Sequence, residues 1–179
     1  MHRLTNWSML ILLVFCVSSA AGAQNAGSEA NTVCNFNPDQ QLAVDYHRIQ
    51  FPPKERVLGN KVPYGKVWAP GDKPLTLFAN TPVTVGGKDI SDGAYTMFIL
   101  PEEKSWTLII SRSTDTGGKY DESQNLAKIR MDFGELPQAE PEFTAYFAHT
   151  APNQCNLRLD LGKARAWIVF KQKQKSGAA

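Results

Sequence analysis

Residues 127–133 read AKIRMDF, and apolar and charged side chains alternate strictly along this heptapeptide. Successive side chains of a β-strand point to opposite faces of a sheet, so this period of two predicts a strand with one face on a core and the other in water. The same alternation occurs at residues 42–48 and 157–161. The three segments therefore predict half-buried strands.

Further strands are predicted from apolar runs between these segments. Longer runs, typical of strands buried on both faces or central in a sheet, occupy residues 95–100, 106–110 and 165–170, and shorter ones occupy 75–78, 83–85 and 143–148. Turn-forming residues separate the runs at 86–87, 91–93, 101–104, 117–118 and 161–163. The pattern predicts an all-β fold, an antiparallel sandwich or partly open barrel of about eight or nine strands. Helix is limited to one or two short candidates, at residues 53–58 and 120–127.

The first residues have the pattern of a secretory signal peptide. Arg3 precedes an apolar run over residues 9–17, and Ala21-Gly22-Ala23 forms an A-x-A cleavage site before Gln24. The run is shorter than the ~20 residues of a membrane-spanning helix, and no later segment approaches that length. We therefore predict a periplasmic or secreted protein whose mature chain has no membrane span.

This export prediction sets the domain organisation. Residues 1–23 are the signal peptide, 24–33 a small and polar tether, 34–171 a single β-rich domain, and 172–179 a disordered tail. The mature chain is long enough to bury roughly 70% of its unfolded surface around one core.

Export also changes the interpretation of the cysteines. Cys16 leaves with the signal peptide, and Cys34 and Cys155 remain as a pair in an oxidising compartment. We predict a disulfide between them, while two unrelated buried thiols remain the alternative.

Charge and motifs exclude several classes of function. The chain has 19 basic and 17 acidic residues, so it lacks the basic excess that nucleic-acid binding requires. The nucleophile elbow, the zinc-protease helix, the phosphate loop and the dinucleotide glycine pattern do not occur in the sequence. We predict no cofactor, no nucleic-acid partner, and an unknown ligand or protein partner.

Two candidate sets of functional residues remain. Asp45 and His47 project from the same face of a predicted strand, where the carboxylate would raise the basicity of the imidazole, and His149 would complete a two-histidine, one-carboxylate metal site. A polar pair on the solvated side of a sheet, with His149 as a structural residue, is the alternative. The second set is Tyr64, Lys66 and Trp68 in a loop over residues 62–73, with Trp68 as the leading exposed contact residue. Trp106 and Trp167 are expected in the core.

Four stretches together carry a family resemblance: VPYGKVW (62–68), VTVGGK (83–88), DGAYTMFILP (92–101) and WTLII (106–110). In this order and spacing the chain resembles an uncharacterised family of exported bacterial domains known as domain of unknown function 2911. The resemblance implies a β-rich exported domain, and the family has no established activity that could be carried over to this chain. Two positions depart from the family: Ala69-Pro70-Gly71 replaces an arginine, threonine and glycine, and Gly117-Gly118-Lys119 replaces a tryptophan-glycine pair.

Three functions follow in order of preference. The first is a non-catalytic binding or accessory module of the cell envelope that presents the 62–73 loop. The second is an exported hydrolase or metal-dependent enzyme that uses Asp45, His47 and His149. The third is a structural protein of envelope assembly.

Overall fold

The computed structural model describes residues 27–52, 55–117 and 119–173, which form ten β-strands and two 3₁₀ turns. The signal peptide and its cleavage site between Ala23 and Gln24 lie outside the described residues. The strands are β1 (Glu29–Asn37), β2 (Gln40–His47), β3 (Leu75–Ala79), β4 (Val83–Val85), β5 (Lys88–Ile90), β6 (Gly93–Pro101), β7 (Trp106–Ser111), β8 (Asn125–Arg130), β9 (Asp132–Ala151) and β10 (Gln154–Gln172).

These strands form two antiparallel sheets. One has six strands in the order β1-β2-β3-β6-β7-β8, and the other has four in the order β5-β4-β10-β9. The chain crosses to the second sheet after β3, returns after β5 and crosses again at Met131. Residues 127–133, predicted as one strand, are therefore divided between β8 and β9. The arrangement confirms the predicted all-β sandwich, with ten strands among the described residues instead of eight or nine.

The core lies between the two sheets and is built by the alternation seen in the sequence. In β2, Leu42, Val44 and Tyr46 are buried while Asp45 is exposed. The largest fully buried side chains are Trp106, Phe143 and Phe170, and burial of such rings contributes on the order of 2 kcal/mol each. Trp106 is therefore in the core as predicted, whereas Trp167 is half-buried on the outer side of β10.

The predicted disulfide is present. Cys34 of β1 bonds to Cys155 of β10, and both residues are buried. The bond therefore links the two sheets through the core.

Both ends of the domain extend beyond their predicted limits. Residues 24–33 were expected to form a tether, but β1 begins at Glu29 and pairs with β2, with Glu29 opposite His47 and Thr32 opposite Val44. The inward side chains at this end, Ala30 and Thr32, are small, so the segment lacks the apolar signal of a strand. At the other end Gln172 belongs to β10, and the Lys173 amide donates to the Pro82 carbonyl at 2.9 Å. Residues 174–179 of the predicted tail lie outside the described residues.

The long β9–β10 ribbon corrects a second expectation. Residues 161–163 were predicted to be a turn, but Gly162 lies inside β10, with a φ of 58° at a shift in register. Partner positions show that β9 carries extra residues here, because Gly162 faces Glu140 while Ala164 faces Glu135. Bulges of this kind accommodate Pro137 and Pro141, which lack the N–H of a regular ladder.

Among the residues that the structure describes, helical structure is limited to the 3₁₀ turns at Pro70–Asp72 and Glu122–Gln124. Residues 55–58 of the first helix candidate are not helical, and residues 53–54 are outside the described part. In the second candidate, Asp121 caps a single turn and β8 starts at Asn125. Across the described ranges, no helix has the length and apolar character needed to cross a bilayer.

Candidate functional site

Asp45 and His47 lie on the outer face of the six-stranded sheet, as their spacing predicted. Each of these two side chains has its polar partner on β1, and the two do not pair with each other. Asn31 Nδ2 donates a hydrogen bond to Asp45 Oδ1, and His47 Nε2 lies 3.6 Å from Glu29 Oε1. The Glu29 side chain is 84% exposed, so this pair contributes little to stability. The arrangement fixes a polar row along the start of β1 and the end of β2.

Only part of this outer face is open to solvent. Residues 112–117 and 119–121 lie over β6 and β7 on this face, where the Thr96 backbone amide and Oγ1 both donate to the Ser113 carbonyl at 2.9 Å. The Tyr120 ring packs edge-on against Phe98, with the centroids 5.2 Å apart. The half of the face formed by β1, β2 and β3 remains uncovered.

The uncovered half contains a depression of about 400 Å³, here called the sheet groove. This volume lies within the ~300–1,000 Å³ of small-molecule sites. Lys73 and Pro74 contribute to its rim at the end of the 62–73 loop, and Thr116 contributes from the covering segment. The lining residues are Glu29, Ala30, Asn31, Asp45, Tyr46, His47, Lys73, Pro74, Thr76, Phe78 and Thr116.

Phe78 is the unusual residue of the sheet groove. Its side chain points outward from β3 and is 44% exposed, although strand β3 is otherwise almost fully buried. Its cross-strand neighbours are Ala43 in β2 and Ala94 in β6. Because both neighbours are alanines, no larger side chain at the directly opposed positions shields the ring. The other exposed large apolar side chain of the described chain is Val33, on the far side of Ala43.

The groups that the enzyme hypothesis uses are not joined in the sheet groove. Its described lining residues with a hydroxyl side chain, tyrosine aside, are Thr76 and Thr116, and these residues include no serine or cysteine. The two residues suggested as a base and its orienting acid, His47 and Asp45, have separate partners. The geometry supports recognition of a ligand more directly than chemistry on it.

The predicted metal site is not assembled. His149 is exposed on β9 and faces Cys155, whose disulfide partner Cys34 pairs with Leu42. His47 lies five residues further along β2 than Leu42, which is ~17 Å of strand. Within the part of the chain that is described, no three His, Cys, Asp or Glu side chains form a group able to hold a metal ion. The combination of Asp45, His47 and His149 was therefore wrong.

The 62–73 loop packs against the sandwich more closely than expected. Trp68 is half-buried, and its ring meets Phe143 edge-on with the centroids 5.2 Å apart. Its backbone also pairs with Ile99 through hydrogen bonds of 2.7 and 3.0 Å. Trp68 therefore completes the core at this end, and the expectation of an exposed contact residue was wrong. Lys66 is exposed and Tyr64 is half-buried.

Tyr64 lines a second depression, of about 370 Å³, between the 55–64 segment and the bulged part of the β9–β10 ribbon. Its floor is apolar, with Val57 and Phe133, and its rim carries Glu55, Glu103 and Glu135 together with Arg56 and Lys163. This bulge cleft is separate from the sheet groove.

A charged cluster lies on the outer face of the four-stranded sheet. Arg165 donates to both carboxylate oxygens of the buried Asp160, at 2.8 and 2.6 Å, and these bonds raise the pKa of the guanidinium above its ordinary value. Arg158 and Arg165 each lie 5.8 Å from the centroid of the Tyr146 ring. Because Asp160 neutralises Arg165, the cluster is chiefly structural.

The residues of the sheet groove that sequence reasoning missed include Glu29, Asn31, Thr76 and Phe78. Phe78 carried a detectable signal, because in LTLFA it occupies the outward position that alternation assigns to a polar side chain. Glu29 and Asn31 were missed because β1 was interpreted as a tether.

Comparison with known proteins adds a family but no function. No curated protein and no solved structure matches the chain significantly. A family model, described as protein of unknown function (DUF2911), matches residues 28–170. This match begins just before β1 and ends at Phe170 in β10, so it includes the sheet groove and both disulfide cysteines. The chain therefore belongs to the DUF2911 family, as its sequence motifs indicated.

Proposed function

We propose that this chain is an exported, non-catalytic binding module, periplasmic or secreted, which holds a small ligand in the sheet groove. The observation that carries the proposal is the exposed Phe78 ring beside the paired Asn31 and Asp45 side chains. An apolar surface next to a few oriented polar groups is typical of ligand sites.

The 62–73 loop takes part through its last residues in this proposal. Lys73 and Pro74 line the sheet groove, and a β-carbon at Gly71 would lie 3.4 Å from His47 Cβ. The loop is thus packed on the end of β2, where it holds one wall of the sheet groove in place. Tyr64 lies earlier in the loop and lines the bulge cleft, where it offers a second contact surface. Lys66 is exposed two residues further along the loop.

Export is supported by the buried disulfide and by the signal-peptide pattern of the sequence. Disulfides persist in oxidising compartments and are rare in reducing ones. Cleavage after Ala23 would leave only five residues before the first strand, which begins at Glu29.

A structural role in envelope assembly has less support. Docking through an apolar face calls for a contiguous patch above ~600 Å². In the described residues the exposed large apolar side chains are Val33 and Phe78. Of these two, Phe78 lines the sheet groove, so the exposed apolar surface is small.

The experiment is an amide-resolved NMR titration of the mature protein with four chemically different probes. These are the trimer of N-acetylglucosamine, choline, inorganic phosphate and the dipeptide Ala-Ala. We expect at least one probe to shift the amides of Asn31, Asp45, Thr76 and Phe78 selectively, and Phe78→Ala to abolish the shifts. If all four probes leave these amides unmoved at tens of millimolar, or shift only amides elsewhere, the proposal is wrong.

A further inference from the structure

We infer that the sheet groove recognises a neutral saccharide, with one sugar ring stacked on Phe78 and its hydroxyl groups bonded to Asn31, Asp45 and Thr76. This inference rests on the proposed function, because it names the chemical class of the ligand that the groove would hold.

The aromatic part of the site suits the face of a sugar ring. One side of a pyranose presents C–H groups, which pack against an aromatic face through dispersion and the negative potential of the ring. Phe78 offers such a surface, since the residue is 44% exposed and lies between Ala43 and Ala94 on the neighbouring strands. A bulky side chain at either alanine would block the approach of a flat ligand.

The polar part of the site is the neighbouring outward-facing row of side chains, two residues away from Phe78 and Ala43 along their strands. Asn31, Asp45 and Thr76 face one another across β1, β2 and β3, so neighbouring members of the row are ~5 Å apart. The hydrogen bond from Asn31 to Asp45 orients both side chains. An amide bonded in this way keeps an N–H and its carbonyl oxygen, and the carboxylate keeps its second oxygen. Sugar hydroxyls, which both donate and accept, match this mixed row.

The charges of the groove argue against a strongly charged ligand. Glu29 and Asp45 are carboxylates, while Lys73 is a cation on the opposing rim. The two carboxylates would repel an anion, and Lys73 would repel a cation. A neutral ligand with many hydroxyls meets neither repulsion, and it gains charge-assisted hydrogen bonds to the groups of either sign.

The test is the binding of three neutral trisaccharides to the mature protein, by isothermal calorimetry and NMR shift mapping. The trimers of N-acetylglucosamine, of β-1,4-linked glucose and of α-1,4-linked glucose differ in ring substituent and linkage. Choline and inorganic phosphate serve as the charged probes. We expect millimolar or tighter binding of at least one trisaccharide at the groove amides. This binding should be insensitive to 0.5 M salt, which screens charge–charge attraction almost completely.

Matched variants locate the binding. Phe78→Ala should weaken it about tenfold or more, while Phe78→Tyr, which keeps the ring, should retain it within about threefold. The controls are Trp167→Ala and Asp132→Asn, which alter an aromatic and acidic pair on the outer side of the other sheet. They should leave the affinity unchanged, and a dispersed NMR spectrum verifies the fold of every variant.

The outcomes separate the two proposals. Binding of choline or phosphate alone at the same amides, lost on raising the salt, would overturn the saccharide inference but keep the groove as a ligand site. Trisaccharide binding that Trp167→Ala removes and Phe78→Ala leaves intact would place the ligand on the other sheet and overturn the inference. Absence of binding by every probe would count against both the inference and the proposed function.

Discussion

Cys34 and Cys155 join the first strand of one sheet to the last strand of the other, with their α-carbons 6.4 Å apart and a sequence separation of 121. The bond closes nearly the whole domain into one loop. It therefore restricts the unfolded chain more than a local disulfide would.

Replacing both cysteines by serine is expected to lower the free energy of unfolding by about 4–5 kcal/mol, as the chain-entropy model gives for a loop of this size. Urea denaturation of the double variant measures the change. Because the cysteines are buried, the native protein should also resist thiol alkylation until it is reduced and unfolded. A double variant as stable as the wild type would contradict this account.

Two adjacent glycines of the β4–β5 turn should respond differently to alanine. Both have positive φ, but a β-carbon at Gly86 would overlap Cγ2 of Ile129 while one at Gly87 would meet nothing within 4 Å. Gly87→Ala should cost about 1 kcal/mol of backbone strain. Gly86→Ala should cost about 2–4 kcal/mol, because it adds overpacking against β8. Thermal unfolding of the two variants tests the difference, and equal losses would refute the close approach.

The contact of Trp68 with Phe143 predicts a structural role for this tryptophan. Trp68→Ala should destabilise the fold by about 3 kcal/mol, in the range of large-to-small core changes. The neighbouring exposed Lys66, changed to alanine, should cost under ~0.5 kcal/mol. Denaturation monitored by circular dichroism compares the two. Equal stability of Trp68→Ala and Lys66→Ala would show that the contact of Trp68 with Phe143 does not stabilise the fold.

The pair of Arg165 and Asp160 predicts an asymmetric double-mutant cycle. Arg165→Met leaves the buried Asp160 carboxylate without its partner and should cost about 3 kcal/mol near neutral pH. The double change Arg165→Met with Asp160→Leu should cost less, because no buried charge remains. A double variant less stable than Arg165→Met would contradict this explanation.

Processing of the leader gives a further test. Expression of the full chain in a Gram-negative host should yield a mature protein that begins at Gln24, by mass spectrometry of the periplasmic fraction. A control with Ala21 and Ala23 both changed to leucine should remain unprocessed. Recovery of the wild-type chain in the cytoplasm with Met1 to Ala23 attached would be incompatible with export.

Sequence reasoning was most accurate where alternation was strong. Residues 42–48, 95–100 and 106–110 fall in β2, β6 and β7 almost without displacement, because their large apolar side chains mark the inward face. It failed at β1, where Ala30 and Thr32 fill a narrow space and carry little hydrophobic signal. It also failed at Gly162, because a glycine in a bulge and a glycine in a turn have the same local composition.

Only part of the candidate site could be predicted from the sequence, for a related reason. Asp45 and His47 share a strand, so their common face followed from their spacing. Glu29, Lys73 and Phe78 join them only through pairing with β1 and β3 and through the path of the 62–73 loop. Trp68 was misplaced because the loop composition around it gave no sign of the packing on Phe143.

The β9–β10 ribbon determines which contacts are available while the chain is being made. Its two strands adjoin in sequence through a short turn at Pro152 and Asn153, so this hairpin closes a small loop and can form early once both strands have emerged. Strand β1 is made first, yet its partner across the sandwich, β10, is made last. The N-terminal half must therefore wait with one side of its sheet uncovered. Formation of the Cys34–Cys155 disulfide, in which both thiols lose their protons and pass two electrons to a thiol oxidant of the compartment, becomes one of the final steps of maturation.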